Sequence, residues 1–378
     1  MDSTSYQPVS AAHPGETVLD YLEAFGWSQR ELSRRCGLTA KTISEICSGK
    51  ASISTATAFA FEKVLGRPAH FWMNLQCKYD EIAARNIEAQ TSKGWHSWAQ
   101  QFPIKEMRDR GWIYPTGGHF SSDVLEILRF LGVSSPDSWN SVWKESRVSY
   151  RQTRKFSTND YAISAWVRAV ELIAEQIEVR EYNKKELVDS LQVIRSITRL
   201  RVDEGFEKVR LVLAQCGVAF VWEPALAKTG ISGCTRWLNA DRALVAISLR
   251  YKSDDQIWFT LFHELGHVLL HKAKHNFIMD NADDNLTDNV VDPEMQLFED
   301  EANRFASNTL IPADLLNKFI SFGIFSNESI HEFAEAIDIS PGVVVGRLQR
   351  EGLLESHQGN RLKQRVDWSF NSSEARLL

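Results

Sequence analysis

One segment limits what this chain can fold into more than any other. Residues 257–270 form the most apolar stretch of the sequence, yet they include His263, Glu264 and His267. The stretch is shorter than the roughly 18 apolar residues that cross a bilayer, so it predicts a buried helix. Polar side chains on a buried helix need hydrogen-bond or metal partners. The fold must therefore supply such partners for two imidazoles and a carboxylate.

The spacing of these polar residues predicts a metal site. His263 and His267 are four residues apart, so their rings project from one face of a helix and can bind one ion. His-Glu-x-x-His on a helix is typical of zinc sites in which the glutamate is the general base. We predict zinc bound by His263 and His267, with Glu264 as the catalytic residue that deprotonates the attacking water. Two histidines at the rim of a core helix are the alternative.

A zinc site that keeps one position open has three protein ligands, so a third is required. A histidine at the metzincin spacing would be residue 273, which is Ala273. His271 lies one turn beyond His267, and three rings on successive turns diverge too far to meet at one ion. We therefore expect His271 at the surface or behind the ligands.

The predicted third ligand is Glu301, on a helix from about residue 293 to 308. A carboxylate on an apolar stripe is costly unless a cation or hydrogen bonds compensate it. Glu299 is predicted to face the opposite side, Glu294 is the alternative ligand, and Glu301 reaching water is the competing interpretation. The stripe consists of Leu297, Phe298, Ala302, Phe305 and Ala306.

Residues 217–350 contain the motifs His263 to His267, Glu301-Ala302-Asn303-Arg304-Phe305-Ala306, Leu310-Ile311-Pro312, Ile231-Ser232-Gly233 and residues 340–348. Together these motifs resemble the ImmA/IrrE family of zinc metallopeptidases. The resemblance implies a zincin-like α+β fold, zinc bound by the two histidines and Glu301, and Glu264 as general base. It also implies cleavage of a repressor or antitoxin protein.

Residues 28–47 have the pattern of a helix-turn-helix. Ser33 is the small residue where two helices touch, Gly37 forms the turn, and Leu32, Cys36, Leu38, Ile43 and Ile46 supply a small core. The helix from Thr39 is predicted to enter the major groove, with phosphate contacts at its flanks. A plain helical bundle is the alternative. The predicted DNA-binding residues are Gln29, Thr39, Lys41, Thr42, Ser44, Glu45, Ser48 and Lys50.

Residues 13–85 include the motifs His13-Pro14-Gly15-Glu16 and Pro68-Ala69-His70-Phe71-Trp72. With these motifs the segment resembles the HigA-type antitoxin group of phage-repressor-like regulators. The resemblance implies homodimers on a palindromic operator in double-stranded DNA, and often a bound toxin. It identifies no toxin-binding residue.

The predicted fold class is mainly α with an α+β zincin-like domain that contains a small sheet and the HExxH helix. Strands are predicted at residues 218–222, 232–238 and 243–249 because β-branched residues alternate there. The predicted domains are a five-helix helix-turn-helix domain at 1–85, a helical connecting region at 86–215, a zinc metallopeptidase domain at 216–325, and C-terminal helices with a polar, loose tail at 326–378.

Composition favours a cytoplasmic protein without a membrane partner. The five cysteines include no CxxC pair, which argues against disulfides and a cysteine zinc site. The N-terminus lacks the pattern of a signal peptide. Residues 280–301 contain nine acidic residues and no Lys or Arg. A solvated loop at 276–291 is the plain interpretation, and a loop that docks on the basic residues 30–50 is the alternative.

The predicted function is a DNA-binding transcriptional regulator with a cis-fused zinc endopeptidase that cleaves a regulatory protein. One alternative is a non-proteolytic repressor or antitoxin whose zinc domain senses or scaffolds, and another makes the central helices a toxin-docking surface. The intact Glu264 favours the enzyme, because a structural zinc site needs no base and usually has four ligands.

Overall fold

The computed structural model describes residues 10–114, 123–145, 160–227, 229–271, 277–281 and 293–366. The chain divides into two compact units. The N-terminal unit is Met1–Ala99 with Pro115–Glu126, and the C-terminal unit is Gln100–Tyr114 with Ile127–Leu378. The predicted fold class, mainly helical with one small sheet, is confirmed. Among the described helices, none combines the length and apolar character needed to cross a membrane.

The N-terminal unit contains the five predicted helices of the helix-turn-helix domain and a short sixth. Side-chain oxygens of Ser28, Thr39 and Ser54 accept hydrogen bonds from backbone N–H groups and begin three of the helices. The helices are α1 (Pro14–Phe25), α2 (Gln29–Cys36), α3 (Ala40–Cys47), α4 (Thr55–Leu65), α5 (Ala69–Lys93) and α6 (His96–Ala99).

The first motif of this unit, residues 13–16, joins α1 to α3. The imidazole of His13 caps α1, since its Nδ1 accepts a hydrogen bond from the N–H of Gly15 at 2.9 Å. A Cβ at Gly15 would lie 1.9 Å from the carbonyl oxygen of Ile46, so only glycine allows this approach of α1 to α3. The buried core of the unit lies beside this contact and includes Val18, Leu32, Ile43, Phe61 and Trp72.

The rest of the chain adds eleven labelled helices and four strands to the described structure. The helices are α7 (Ile104–Asp109), α8 (Asp123–Leu131), α9 (Pro136–Trp139), α10 (Asp160–Glu175), α11 (Lys184–Ile197), α12 (Val202–Gln215), α13 (Asp254–Leu270), α14 (Pro293–Leu310), α15 (Ala313–Ser321), α16 (Asn327–Ala336) and α17 (Pro341–Arg350). The strands are β1 (Val218–Trp222), β2 (Ile231–Asn239), β3 (Arg242–Ile247) and β4 (Phe277–Asn281).

The sheet has the order β1-β3-β2-β4. β1 runs parallel to β3, and β2 runs antiparallel to both β3 and β4. The three predicted strands are confirmed, but β4 was predicted as part of a loop at 276–291. Its pairing with the open edge of β2 accounts for the difference, because edge pairing is a tertiary contact that local composition does not encode. Residues 282–291 of that loop lie outside the described structure.

A hydrophobic core of the C-terminal unit runs from Leu187 to Val366 in sequence. At its centre the rings of Phe206, Phe220 and Trp258 pack edge to face, with centroids 5.0 and 5.6 Å from that of Phe206. The core takes side chains from α11, α12, the sheet, α13, α16 and α17. Helices predicted as a connecting region and as C-terminal additions therefore pack around the same core as the sheet.

The polar segment near the C-terminus is tied to the start of α13. Asp254 is fully buried and accepts hydrogen bonds from the Ser340 hydroxyl at 2.6 Å and the Gln364 N–H at 2.9 Å. Burial raises the pKa of Asp254 to about 6, against the lowering effect of the Ser340 hydrogen bond. Lys363 contacts Asp255 at 2.7 Å. The expectation of a loose tail is therefore wrong for residues up to 366.

Candidate metal centre and nucleic-acid interface

α13 holds the HExxH residues inside the C-terminal unit. His263, Glu264 and His267 are 2%, 0% and 1% exposed. α14 packs closely over them, because a Cβ at Gly266 would lie 3.0 Å from the Phe305 ring and 3.2 Å from the Ala302 Cα. The glycine of the motif thus allows the second helix to reach the two histidines.

Three side chains converge between α13 and α14. The Nε2 atoms of His263 and His267 are 2.9 Å apart. The carboxylate of Glu299 lies 3.2 Å from His263 Nε2 and 3.6 Å from His267 Nε2. Within the described residues, these three form the one group of at least three His, Cys, Asp or Glu that could hold a metal ion, with ligand atoms within 4.8 Å of one another.

The protonation states of His267 and Glu299 suit a metal ion. Burial lowers the pKa of His267 to about 4, because it disfavours the imidazolium form. Burial alone would raise the pKa of Glu299, but hydrogen bonds with His263 and His267 outweigh it and hold that pKa well below its usual range. Neutral imidazoles and an ionised carboxylate are the forms that bind metal. Two nitrogens and one oxygen fit a zinc site with one open position.

Glu301, the ligand predicted from sequence, does not lie with the two imidazoles. Its Oε2 is 2.9 Å from Nε2 of His271, and Nδ1 of His271 is 2.9 Å from Nδ1 of His267. The structure thus brings Glu299 rather than Glu301 to His263 and His267. The alternative ligand, Glu294, has a side chain outside the described structure.

The phase of α14 accounts for this correction. Leu297, counted as part of the buried stripe, is 49% exposed. With about 100° per residue, Glu299 points about 40° from the centre of the buried face and Glu301 about 120° from it. Glu299 therefore faces α13, opposite to the expectation. The buried face consists of Phe298, Ala302, Ala306 and Leu310.

Asn303 was also missed as a residue of the site. Its Oδ1 lies 3.1 Å from Nδ1 of His263, the nitrogen that points away from the ligand cluster. Glu299 and Asn303 are four residues apart, as His263 and His267 are on the opposing helix. That spacing places Glu299 and Asn303 on one face of α14, and packing decides that this face meets α13.

The carboxylate of Glu264 lies against β2. The hydroxyl of Thr235 donates to it, with Oγ1 2.6 Å from Oε2. A Cβ at Gly233 would lie 2.4 Å from Oε1 of Glu264, so the strand can pass here only without a side chain. β2 therefore sets the position of the candidate general base.

The acidic residues between the two helices are described only in part. Asp280 lies in β4, where it pairs with Gly233 of β2. Asp283, Asp284 and Asp288 lie outside the described residues. Docking of this loop on residues 30–50 stays a prediction.

In the N-terminal unit, α2 and α3 have the expected helix-turn-helix geometry. Gly37 has a φ of 68°, in the left-handed region that a turn of this kind requires. Ser33 is buried, and its hydroxyl donates to the carbonyl oxygen of Leu38 at 2.7 Å. Leu32 and Ile43 are fully buried below the turn. The residues predicted to close the small core lie in it or pack against it.

The predicted DNA-binding residues lie along α3 and its flanks. Thr39, Lys41, Ser44, Ser48 and Lys50 are exposed, and Gln29, Thr42 and Glu45 are half-buried. The side chain of Lys41 is 82% exposed and has Glu45 at 3.8 Å as a weak ion-pair partner. Thr39 caps α3 through the N–H of Thr42 at 3.0 Å. These side chains can reach a ligand without disturbing the core.

Family models match both ends of the chain. Residues 232–349 match the peptidase family model described as the IrrE N-terminal-like domain, and residues 18–72 match a helix-turn-helix model. The chain carries a helix-turn-helix domain and an IrrE N-terminal-like domain. The resemblance to the IrrE family is confirmed over residues 232–349, and the helix-turn-helix is confirmed over residues 18–72. The IrrE N-terminal-like domain contains β2 from residue 232 on, the HExxH helix and all of α14.

Individual relatives match the helix-turn-helix end. Virulence-associated protein I of Dichelobacter nodosus is 32% identical over 71 residues, which are 18% of this chain and 66% of that protein. The HigA-family addiction module antidote protein of Coxiella burnetii is 27% identical, with 22% of this chain and 94% of that chain covered and a TM-score of 0.21. Pseudomonas aeruginosa antitoxin HigA with the higBA promoter is 30% identical, with 21% and 88% covered and a TM-score of 0.21.

Proposed function

We propose that this chain is a DNA-binding transcriptional regulator that carries a zinc-dependent endopeptidase in the same polypeptide. Its substrate is a regulatory protein of the repressor or antitoxin type. The proposal is supported above all by the cluster of His263, His267 and Glu299, in which both histidines are buried and lie on the same helix as Glu264. The IrrE N-terminal-like domain around that cluster belongs to a peptidase family.

The residues of the site have separate roles in peptide hydrolysis. His263, His267 and Glu299 would hold zinc, which when bound supplies a Lewis acid for the scissile carbonyl. Glu264 accepts the proton of the attacking water while the new C–O bond forms. It then gives that proton to the leaving amine as the C–N bond breaks. Thr235 holds the carboxylate of Glu264 in place during both transfers.

The donor set favours an enzyme over a purely structural metal site. Structural zinc sites usually have four protein ligands, whereas three ligands leave a position for a reactant. Glu264 is fully buried although it is not one of the three ligands. A carboxylate is expensive to bury, so a site that only stabilises the fold has no use for it.

The N-terminal unit supports binding to operator DNA. Residues 18–72 match a helix-turn-helix family model. The exposed polar side chains of α3 are of the kind with which a helix in the major groove contacts DNA. We extend the proposal to a homodimer on a palindromic operator, since dimeric helix-turn-helix proteins read two half-sites. A cytoplasmic location and a toxin as an additional partner complete it.

The peptidase half is tested by zinc content and by cleavage. The purified chain should contain about one zinc ion, and Glu299→Ala should lose it because two ligands hold the ion poorly. Glu264→Gln should keep zinc and stop cleavage, since the amide cannot take a proton. Elemental analysis measures the metal, and intact-mass spectrometry of candidate repressors and antitoxins detects cleavage.

Glu335→Gln, an exposed change of the same kind on α16, is the matched control and should behave as wild type. A zinc-loaded wild type that cleaves no candidate, although it binds one of them, would favour the non-proteolytic regulator. Cleavage that survives in Glu264→Gln would reject the role of this residue.

A further inference from the structure

Both histidines of the metal cluster have a hydrogen-bond partner on their outer nitrogen. Nδ1 of His263 lies 3.1 Å from Oδ1 of Asn303. Nδ1 of His267 lies 2.9 Å from Nδ1 of His271, whose Nε2 lies 2.9 Å from Oε2 of Glu301. The second arrangement forms a chain of three side chains, His267, His271 and Glu301, that leads away from the ligand cluster.

The protons in this chain can be assigned from chemistry. A metal on Nε2 of His267 requires the proton of that ring to be on Nδ1, which then donates to Nδ1 of His271. His271 accepts there, so its own proton is on Nε2 and donates to the carboxylate of Glu301. Each donor thus faces an acceptor. The arrangement is compatible with one tautomer of each ring, the one that frees Nε2 of His267 for the metal.

We infer that His271 and Glu301 are positioning residues for the metal ligand His267, with Glu301 acting through His271. They fix the orientation and tautomer of the His267 ring and strengthen it as a donor. A partner behind a metal-bound histidine has this effect in general. The inference rests on the proposed zinc site and assigns a role to two residues that take no part in the ligand cluster.

The burial of His271 supports a positioning role for His271 and Glu301 rather than an ordinary surface ion pair. His271 is 2% exposed, and its ring lies 4.6 Å from that of Phe298, which belongs to the buried face of α14. The side chain of Glu301 is 40% exposed. An exposed carboxylate usually contributes little to stability. Here the carboxylate of Glu301 ends a hydrogen-bond chain that reaches the buried His267. Its removal should therefore lower the affinity for zinc.

The test measures zinc affinity of the full-length chain by competition with a chromophoric chelator. Glu301→Ala should weaken zinc binding on the order of 10–100-fold, the usual effect of removing such a partner. Glu301→Gln keeps an acceptor for His271 and should recover part of the loss. Asp300→Asn removes the same charge from the neighbouring residue, which is exposed, and should bind zinc as wild type does.

A double-mutant cycle tests whether Glu301 acts through His271. His271→Ala should weaken zinc binding, and adding Glu301→Ala should weaken it no further. Unfolding in the presence of a chelator provides the readout that a merely structural role would change. Glu301→Ala should leave the stability of the metal-free chain as in wild type and reduce only the part that zinc adds.

Three results would overturn the inference. They are wild-type zinc affinity in Glu301→Ala, additive losses in the cycle, and a loss in Glu301→Ala as large as that in Glu299→Ala, which would make Glu301 a ligand. Failure of the proposed function gives different results. A wild-type chain without zinc rejects the site itself, whereas zinc binding without proteolysis leaves the positioning role intact.

Discussion

Gly233 of β2 and Glu264 of α13 lie so close together that the strand determines where the Glu264 side chain is placed. A Cβ at position 233 would lie 2.4 Å from Oε1, 2.9 Å from Cγ and 3.0 Å from Cδ of Glu264. These contacts are shorter than side chains allow, and Glu264 is fully buried against the strand. The missing side chain of Gly233 therefore fixes the position of Glu264, the candidate general base.

Gly233→Ala should slow cleavage while the chain keeps its zinc. The added methyl group displaces the carboxylate of Glu264, and a shift of about 1 Å in a catalytic group can cost on the order of 100-fold in rate. Zinc content by elemental analysis and the cleavage rate are the two measurements. Gly94→Ala, at an ordinary φ of −67°, is the control. Equal rates in Gly233→Ala and wild type would contradict the idea that β2 positions the base.

The residues of the HExxH motif could be predicted from sequence because their relation is local. Four-residue spacing fixes the common face of His263 and His267 on any helix. The third ligand depends on which side of α14 faces α13, and apolar composition gave the wrong side because Leu297 is exposed. Glu301 was assigned as a ligand for that reason. Only packing distinguishes it from Glu299.

At the scale of elements, the five helices of the helix-turn-helix domain were predicted from sequence, whereas β4 was not. Caps such as Ser28 and Thr39 and the period of apolar residues lie within a few positions of each helix. β4 has no comparable local signal. It is a strand because five of its residues pair with β2, and its acidic surroundings suggested a loop.

α3 should carry the specific contacts with operator DNA. Lys41→Ala and Thr42→Ala should each weaken operator binding by about 1–3 kcal/mol, the usual cost of one base contact. Neither change should unfold the unit, because Lys41 is exposed and Thr39 still caps the helix through the backbone of residue 42. Gel-shift titration measures the affinity.

Lys63→Ala removes an equal charge from the exposed side of α4 and serves as the control for Lys41→Ala. It should affect binding less than the two α3 variants do. If all three variants bind the operator as wild type does, another surface contacts the DNA.

At the scale of the molecule, two of the hydrophobic cores of the described residues lie in different units. One includes Val18 to Trp72, and the other Leu187 to Val366. The sequence predicted a helix-turn-helix domain at 1–85 and a zinc metallopeptidase domain at 216–325, and these boundaries stay a prediction. It did not predict the tie between Asp254 and Gln364, because contacts between residues 110 positions apart leave no local pattern.

Removing zinc should destabilise one core and leave the other unchanged. The proposed ligands lie on α13 and α14, both in the C-terminal unit, so zinc at 100 times its Kd should add about 2.7 kcal/mol to that unit alone. Calorimetry with and without a chelator should therefore show one transition that moves and one that does not. A single transition, or two that move together, would contradict the independence of the cores.

The hydrogen bond between Asp254 and Gln364 also determines which unit can finish folding first during translation. When the ribosome has added Asp254, the partner of its Oδ1 is still 110 residues away. At roughly 5–20 residues per second, that distance takes roughly 5–20 s to translate. The core that ends at Trp72 has left the ribosome long before. On the proposed function, each newly made molecule can bind its operator before it can cut a protein.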